Sequence, residues 1–235
     1  MTRRICFLGK SGIGKSVIIS NISEALARMG YGVLQIGNDS SLTSTSLLMQ
    51  DQEMPAMMEE YREMYTVSAQ EYIRMSPCGV YCLELGGIAP GCGCLARGVS
   101  IADEILREQM TAEQLGLDYI FYDISGEIPC TGYILPVRDG TMQEGIIITT
   151  GTYSSVSTAN SILTAILKTR SSQEFPVRLL VNNAGVHQTK SLLTDYSHQT
   201  GIGILDFMRW RGELCGRRSR IPPRPPRSMA SRSSC

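Results

Sequence analysis

Residues 9–16 read GKSGIGKS, with the apolar run ICFL just before and VIISNISEALARMG just after. Gly9, Gly14, Lys15 and Ser16 satisfy the spacing G-x-x-x-x-G-K-[ST], and the flanks supply a short strand followed by a helix. The chemistry needs that order. Glycines let backbone N–H groups turn inward around phosphates, Ser11, Gly12 and Ile13 complete the cradle, and the helix N-terminus adds its positive end. Lys15 neutralises the outer phosphate oxygens and Ser16 offers a hydroxyl to magnesium. A strand, loop and helix joined this way predict a parallel α/β sheet, since the helix must pack back on the sheet before the next parallel strand begins. Phosphate binding alone does not account for Lys10, a second lysine ahead of the usual one.

The rest of the chain continues the alternation. RICFL, GVLQIG, YCLEL, YIFYD, GIIIT and VRLLVN read as short buried strands, and Val17–Met29, Ala102–Leu115 and Val156–Leu167 as covering helices. In the first helix Ile18, Ile19, Ile22, Ala25, Leu26 and Met29 recur every three or four residues and predict an apolar face against the sheet. Gln50–Pro77 shows no clear strand and predicts one or two surface helices. Nothing repeats at a fixed period. The expected fold is a single P-loop NTPase domain, a predominantly parallel sheet flanked by helices, over residues 1–208, with ligands at the carboxyl ends of its strands.

Two carboxylates fall where a nucleotide switch needs them. Asp39 ends the second strand in GND, placed to orient a nucleophilic water or to serve magnesium. Asp123 ends YIFYD, and Gly126 follows in a D-x-x-G arrangement that senses a γ-phosphate.

The formal net charge is zero, yet the 27 residues from Arg209 hold eight of the 22 basic residues and one of the 22 acidic ones. The preceding body carries 14 basic against 21 acidic residues, a surplus that argues against a nucleic-acid surface. The segment 209–235, RWRGELCGRRSRIPPRPPRSMASRSSC, lacks periodicity and is rich in Pro, Arg and Ser, so disorder is expected there. No apolar run reaches the roughly 18–20 residues of a membrane span, and MTRRICFLGK leads into the glycine loop rather than a cleavage site, so a cytoplasmic location without membrane contact is expected. Eight cysteines in such a chain point to reduced thiols or to metal or cluster ligation before disulfides. Cys94 and Cys130 both lie on glycine-rich loops after strands, and neither sits in a Cys-x-x-Cys pair. Cys6, Cys78 and Cys82 read as small core residues, and His187 and His198 form no ligand spacing.

The loop GKSGIGKS resembles the deviant Walker A motif, G-K-G-G-x-G-K-[ST], of dimeric ATPases that include the nitrogenase iron protein and the partition and septum-site ATPases. In those families the extra lysine, here Lys10, reaches across a dimer interface to the partner's nucleotide. GGIAPGCGCLARGV resembles the nitrogenase iron protein segment G-G-x-x-P-G-x-G-C-x-x-R-G-V, and DISGEIPCTGY its D-x-x-G-[DE]-x-x-C-x-G. The resemblance implies that Cys94 and Cys130 from two subunits hold one [4Fe-4S] cluster on a dimer axis, with MgATP at each phosphate loop. Arg97 matches an arginine that some members carry as a target of reversible ADP-ribosylation; its plainer reading is an exposed interface arginine. Asn182, in VNNAG, matches the asparagine that reads the adenine base, or is a turn asparagine. Cys92 has no counterpart in the motif.

The resemblance implies an ATP-dependent one-electron reductase acting as a homodimer on a catalytic electron-acceptor protein, reloaded by ferredoxin or flavodoxin. The related reductases of tetrapyrrole reduction, in chlorophyll or nickel-cofactor synthesis, share the motifs, and a cluster-free partition-type switch is the rival of a different class. Departures are local. Ser11 stands for a glycine, Val17 for a Thr or Ser, Glu127 for an aspartate, and the first switch reads Asp39, Ser40, Ser41, Leu42, Thr43 where members read D-P-K-x-D. After LDFM the family pattern stops, as it does after a changed reading frame or in a natural basic arm.

Overall fold

β1 (Arg3–Leu8) lies inside an eight-stranded sheet of order β3-β4-β2-β5-β1-β6-β7-β8, paired in parallel with β5 (Tyr119–Ile124) and β6 (Glu144–Thr149). The remaining strands are β2 (Val33–Asn38), β3 (Arg74–Met75), β4 (Tyr81–Glu84), β7 (Val177–Val181) and β8 (Gly203–Phe207). All pairings are parallel except that of β3 with β4. This is a computed structural model, which describes residues 2–50, 52–87, 95–124, 137, 140–169, 175–183 and 187–209. The predicted single α/β domain with a mostly parallel sheet is what these residues form.

Alternation along the strands distributes side chains to two layers. Ile5 and Phe7 face α1 (Lys15–Arg28) and α2 (Ser46–Met49), with Phe121, Ile146 and Ile148 beside them. Cys6, Leu8, Leu34, Ile36 and Ile147 face the other layer, built from α3 (Met57–Met64), α4 (Ala69–Tyr72), α5 (Leu95–Glu108), α6 (Thr111–Gln114) and α7 (Tyr153–Thr169). Leu34, Ile36 and Ile147 are wholly buried, each worth about 1.5–3 kcal/mol by transfer. α8 (His187–Thr200) sets Leu193 against Val181 beside β8.

The inner face of α1 differs from the apolar periodicity. Ala25 is exposed and Met29 is 70% exposed, whereas Ser20 and Ser23 are buried. Ser23 donates to Gln35 Oε1 at 3.0 Å, and Gln35 Nε2 donates to Ser20 Oγ at 3.2 Å and to the Ser44 carbonyl at 3.0 Å. A buried polar seam ties α1 to β2 because each hydroxyl finds a partner on another element. Residues 50–77 also depart from a plain surface segment. Met54, Met57, Met58, Val67 and Ala69 are core, and Arg74–Met75 form a short antiparallel edge strand. The helix expected over 102–115 is divided at Met110, whose φ of 51° breaks the α conformation between α5 and α6.

Candidate nucleotide site

β1 delivers the chain to the loop at the carboxyl end of the sheet, and α1 carries it away. Gly9 takes φ 147°, and a Cβ there would lie 2.4 Å from the Ile148 carbonyl oxygen. Gly14 takes φ 86° as the N-cap of α1 and supplies no side-chain cap, so the first-turn N–H groups face the loop without an internal acceptor. Ser11 is not among the residues with positive φ, so the serine fits the backbone there without strain. Lys10 is half-buried, and Gly12 and Ser11 are exposed. The Ile13 carbonyl accepts a 2.7 Å hydrogen bond from Asn182 Nδ2, which braces the loop from the end of β7.

Asp123, 2% exposed at the end of β5, gathers the site. Lys15 Nζ donates to its Oδ1, and Ser16 Oγ and Ser44 Oγ donate to its Oδ2 at 2.5 and 2.6 Å. An ammonium, two hydroxyls and a carboxylate thus converge beside a helix N-terminus. Phosphate is the ligand for the first and the last of these features, and hard oxygen donors are what magnesium takes. Val17, in the first turn of α1, is about half exposed.

Asp39 follows β2 and does not reach this cluster through any hydrogen bond among the described residues. Its Oδ2 accepts from Ser41 Oγ at 2.5 Å and Thr43 Oγ1 at 3.3 Å, closing a turn in which Leu42 has φ 53°. The next two residues do reach buried carboxylates: Ser44 meets Asp123, while Thr45 donates through N and Oγ1 to Glu84 Oε1, both at 2.7 Å. Burial pushes the Glu84 carboxyl up to about 7; the Thr45 hydrogen bonds pull it down, and Asp123 and Asp39 push it up. Sequence reading missed Ser44, Thr45 and Glu84. The available signals were an acid inside the apolar run YCLEL and the hydroxyl run after Asp39.

Cys94, Cys130, Cys92, Gly126 and the chain from residue 210 lie outside the described residues. The described strands nevertheless bear on the cysteines. β4 and β5 are parallel and separated by β2 alone, so the segments leading to Cys94 and Cys130 depart from one end of the sheet, from strands about 10 Å apart. Cys6 and Cys82 are buried in the core, where desolvation pushes the Cys6 thiol up to about 12 and the Cys82 thiol well up also. They are protonated packing residues, as expected. Among the described residues no group of three or more His, Cys, Asp or Glu is placed to hold a metal ion. Arg97 is exposed near the start of α5, and His198 is exposed on α8.

The sheet order, the phosphate loop and the strand-end aspartate define a P-loop NTPase domain. Solved structures agree on the fold. The MinD cell division protein of Aquifex aeolicus matches with a TM-score of 0.67 at 17% identity, over 91% of this chain and 84% of that one. The cobyrinic acid a,c-diamide synthase of Mycobacterium smegmatis, with bound ATP analog and magnesium, matches with a TM-score of 0.68 at 15% identity, over 93% and 89%. Sequence defines the branch. Residues 3–220 match the family described as 4Fe-4S iron sulfur cluster binding proteins, NifH/frxC family, and the chain belongs to it. Nitrogenase iron protein 2 of Paenibacillus durus is 32% identical over 207 residues, 88% of this chain and 71% of the relative. Nitrogenase iron protein 2 of Methanothermococcus thermolithotrophicus is 30% identical over 223 residues, 86% and 74%. The match runs to residue 220, past Met208, where the family pattern was expected to stop. Among the described residues no helix is long and apolar enough to cross a membrane.

Proposed function

We propose that the chain is the ATP-dependent reductase component of a nitrogenase-like system, a cytoplasmic homodimer that passes one electron at a time to a catalytic partner protein and is reloaded by a ferredoxin or flavodoxin. The observation that carries this is the convergence of Lys15, Ser16 and Ser44 on Asp123 at the sheet end from which both cysteine segments depart. When bound, the nucleotide supplies the phosphoanhydride whose cleavage drives the cycle, and the cluster supplies the transferable electron. With nucleotide bound, Lys15 would turn from Asp123 to the phosphates, Ser16 and Asp123 would serve the magnesium, and Asp39 would orient the attacking water. Gly9, Lys10, Ser11, Gly12, Ile13 and Gly14 would surround the phosphates, with Lys10 serving the partner subunit's nucleotide and Asn182 bracing the loop through the Ile13 carbonyl. Cys94 and Cys130 from two subunits would hold the cluster through thiolates. Arg97 lies where an acceptor protein docks.

A second reading keeps the chemistry and changes the partner, to a tetrapyrrole-reducing enzyme. The exposed Ser41 and Thr43, in place of a lysine and an aspartate, favour it. The deciding measurement is iron and acid-labile sulfide on anaerobically purified protein, with an EPR spectrum after dithionite, for wild type and Cys94→Ala. About two irons per subunit, with loss of iron and signal in the variant, is the expected result. Iron-free dimers that still hydrolyse ATP would leave a partition-type switch instead.

A further inference from the structure

Glu84 is an expensive residue to keep. Its side chain is fully buried, Oε2 has no hydrogen-bond partner, and Oε1 is committed to Thr45. A buried carboxylate with one oxygen unpaired costs more than an apolar side chain of the same volume would. The carboxylate also fits only because residue 37 is glycine: a Cβ on Gly37 would lie 2.0 Å from Glu84 Oε2 and 2.6 Å from Ser44 Cβ.

The contact is one of three in register. Thr45 meets Glu84; Leu42 Cδ2 lies 3.6 Å from where a Cβ on Gly86 would stand; Ser40 Cβ lies 2.5 Å from that position on Gly87. The segment 40–45 therefore runs back along the exit of β4 and packs closely against it at Gly87, while Ala56 is the nearest neighbour of Gly86. Arg62 Nη1 fixes the far side by donating to the Gly87 carbonyl at 2.7 Å, and the Leu85 N–H donates to the Gly37 carbonyl at 2.9 Å. Neighbouring residues in one segment thus hold two carboxylates of different duty: Ser44 holds Asp123, which also holds Lys15, and Thr45 holds Glu84.

We propose that Glu84 is a positioning residue, and that its bond to Thr45 carries the state of Asp123 from the nucleotide site to the β4 exit at residues 84–87. That exit leads on to Cys94, and the cysteine destination rests on the reductase reading above. When Lys15 leaves Asp123 for phosphate, the hydrogen bonding of the carboxylate to Ser44 changes. Thr45 is the next residue and cannot stay behind, and Glu84 has no hydrogen-bond donor other than Thr45 to fall back on among the described residues. Motion of segment 40–45 is thereby transmitted to the β4 exit, where Ser40 leaves no room for a Cβ on Gly87.

The test is hydrogen exchange on the full-length protein, with and without saturating MgADP, for wild type, E84Q, E84L and T45V, with saturation verified by calorimetry and Tm recorded for each. In wild type, MgADP alters exchange at 40–45 and 84–87 together. E84Q, whose amide oxygen still accepts both Thr45 bonds, retains both responses. E84L keeps the response at 40–45 and loses it at 84–87; if E84L does not fold, T45V shows a diminished response at 84–87 relative to 40–45. Full response at 84–87 in T45V or E84L, or none in wild type, overturns the proposal, as does a lowered Tm with coupling intact. Iron analysis of the same samples separates the two ideas, since iron-free protein removes the reductase reading and leaves the exchange result standing.

Discussion

Asp123→Asn removes the charge around which the nucleotide site is assembled and keeps the volume. Asp123 is 2% exposed and the Lys15 side chain 10%, so the substitution strands an ammonium in a largely dry place. Breaking a buried pair by removing one partner costs about 3–5 kcal/mol, and the amide oxygen left near Lys15 sets the value near the lower end, about 3 kcal/mol. At about 2–4 °C per kcal/mol for a domain of this size, Tm should fall by roughly 6–12 °C. Phosphate can replace the missing charge. In EDTA, ADP therefore binds the variant more tightly than it binds wild type, in which Asp123 competes for Lys15. If the whole 3 kcal/mol were recovered the gain would be about 100-fold, which is its ceiling. With magnesium the gain should shrink, because the variant lacks the carboxylate proposed to serve the metal. Scanning fluorimetry and calorimetry in EDTA measure both effects. An unchanged Tm, or weaker ADP binding in EDTA, would refute the account of Lys15 and Asp123 as a buried pair that phosphate breaks.

Asn182→Ala removes the 2.7 Å brace on the Ile13 carbonyl, so it should weaken ADP and GDP equally by calorimetry; a loss confined to ADP would establish base reading instead. Glu84 titrates at about 7 in the fold against an ordinary 4.5, so the folded chain holds this proton more tightly than the unfolded chain. Its contribution is fully present below about pH 4.5 and is lost as pH rises through 7. The Tm of wild type minus that of E84Q should accordingly fall between pH 5 and pH 8, and a flat difference would show that Glu84 is not desolvated.

The phosphate loop and most of the strands along the chain were legible because they are local: a glycine pattern with its flanks, and runs of apolar letters. Asp123 was legible for the same reason, as an acid closing a buried run. Periodicity failed on α1, where apolar spacing predicts Ala25 and Met29 inside while Ser20 and Ser23 are there instead. Their burial depends on Gln35, a partner twelve and fifteen residues away on a strand, and no count of apolar letters registers it. Ser44, Thr45 and Glu84 were hidden by the same physics. Each is unremarkable in its own segment and acquires a role only when β2, β4 and β5 are laid side by side.

The first switch departs in sequence from the family likeness, since Ser41 and Thr43 stand where members carry a lysine and an aspartate. The fold divides that segment in two. Ser41 and Thr43 are exposed and satisfy Asp39 within their own turn, whereas Ser44 and Thr45 are buried and bonded to Asp123 and Glu84. The departures thus fall on the outward half, the part available to another protein, and the inward half still connects to the nucleotide site. Through Thr45 that inward half is tied to Glu84 on β4 as well. The division favours a family member whose partner has changed over one whose switch has decayed.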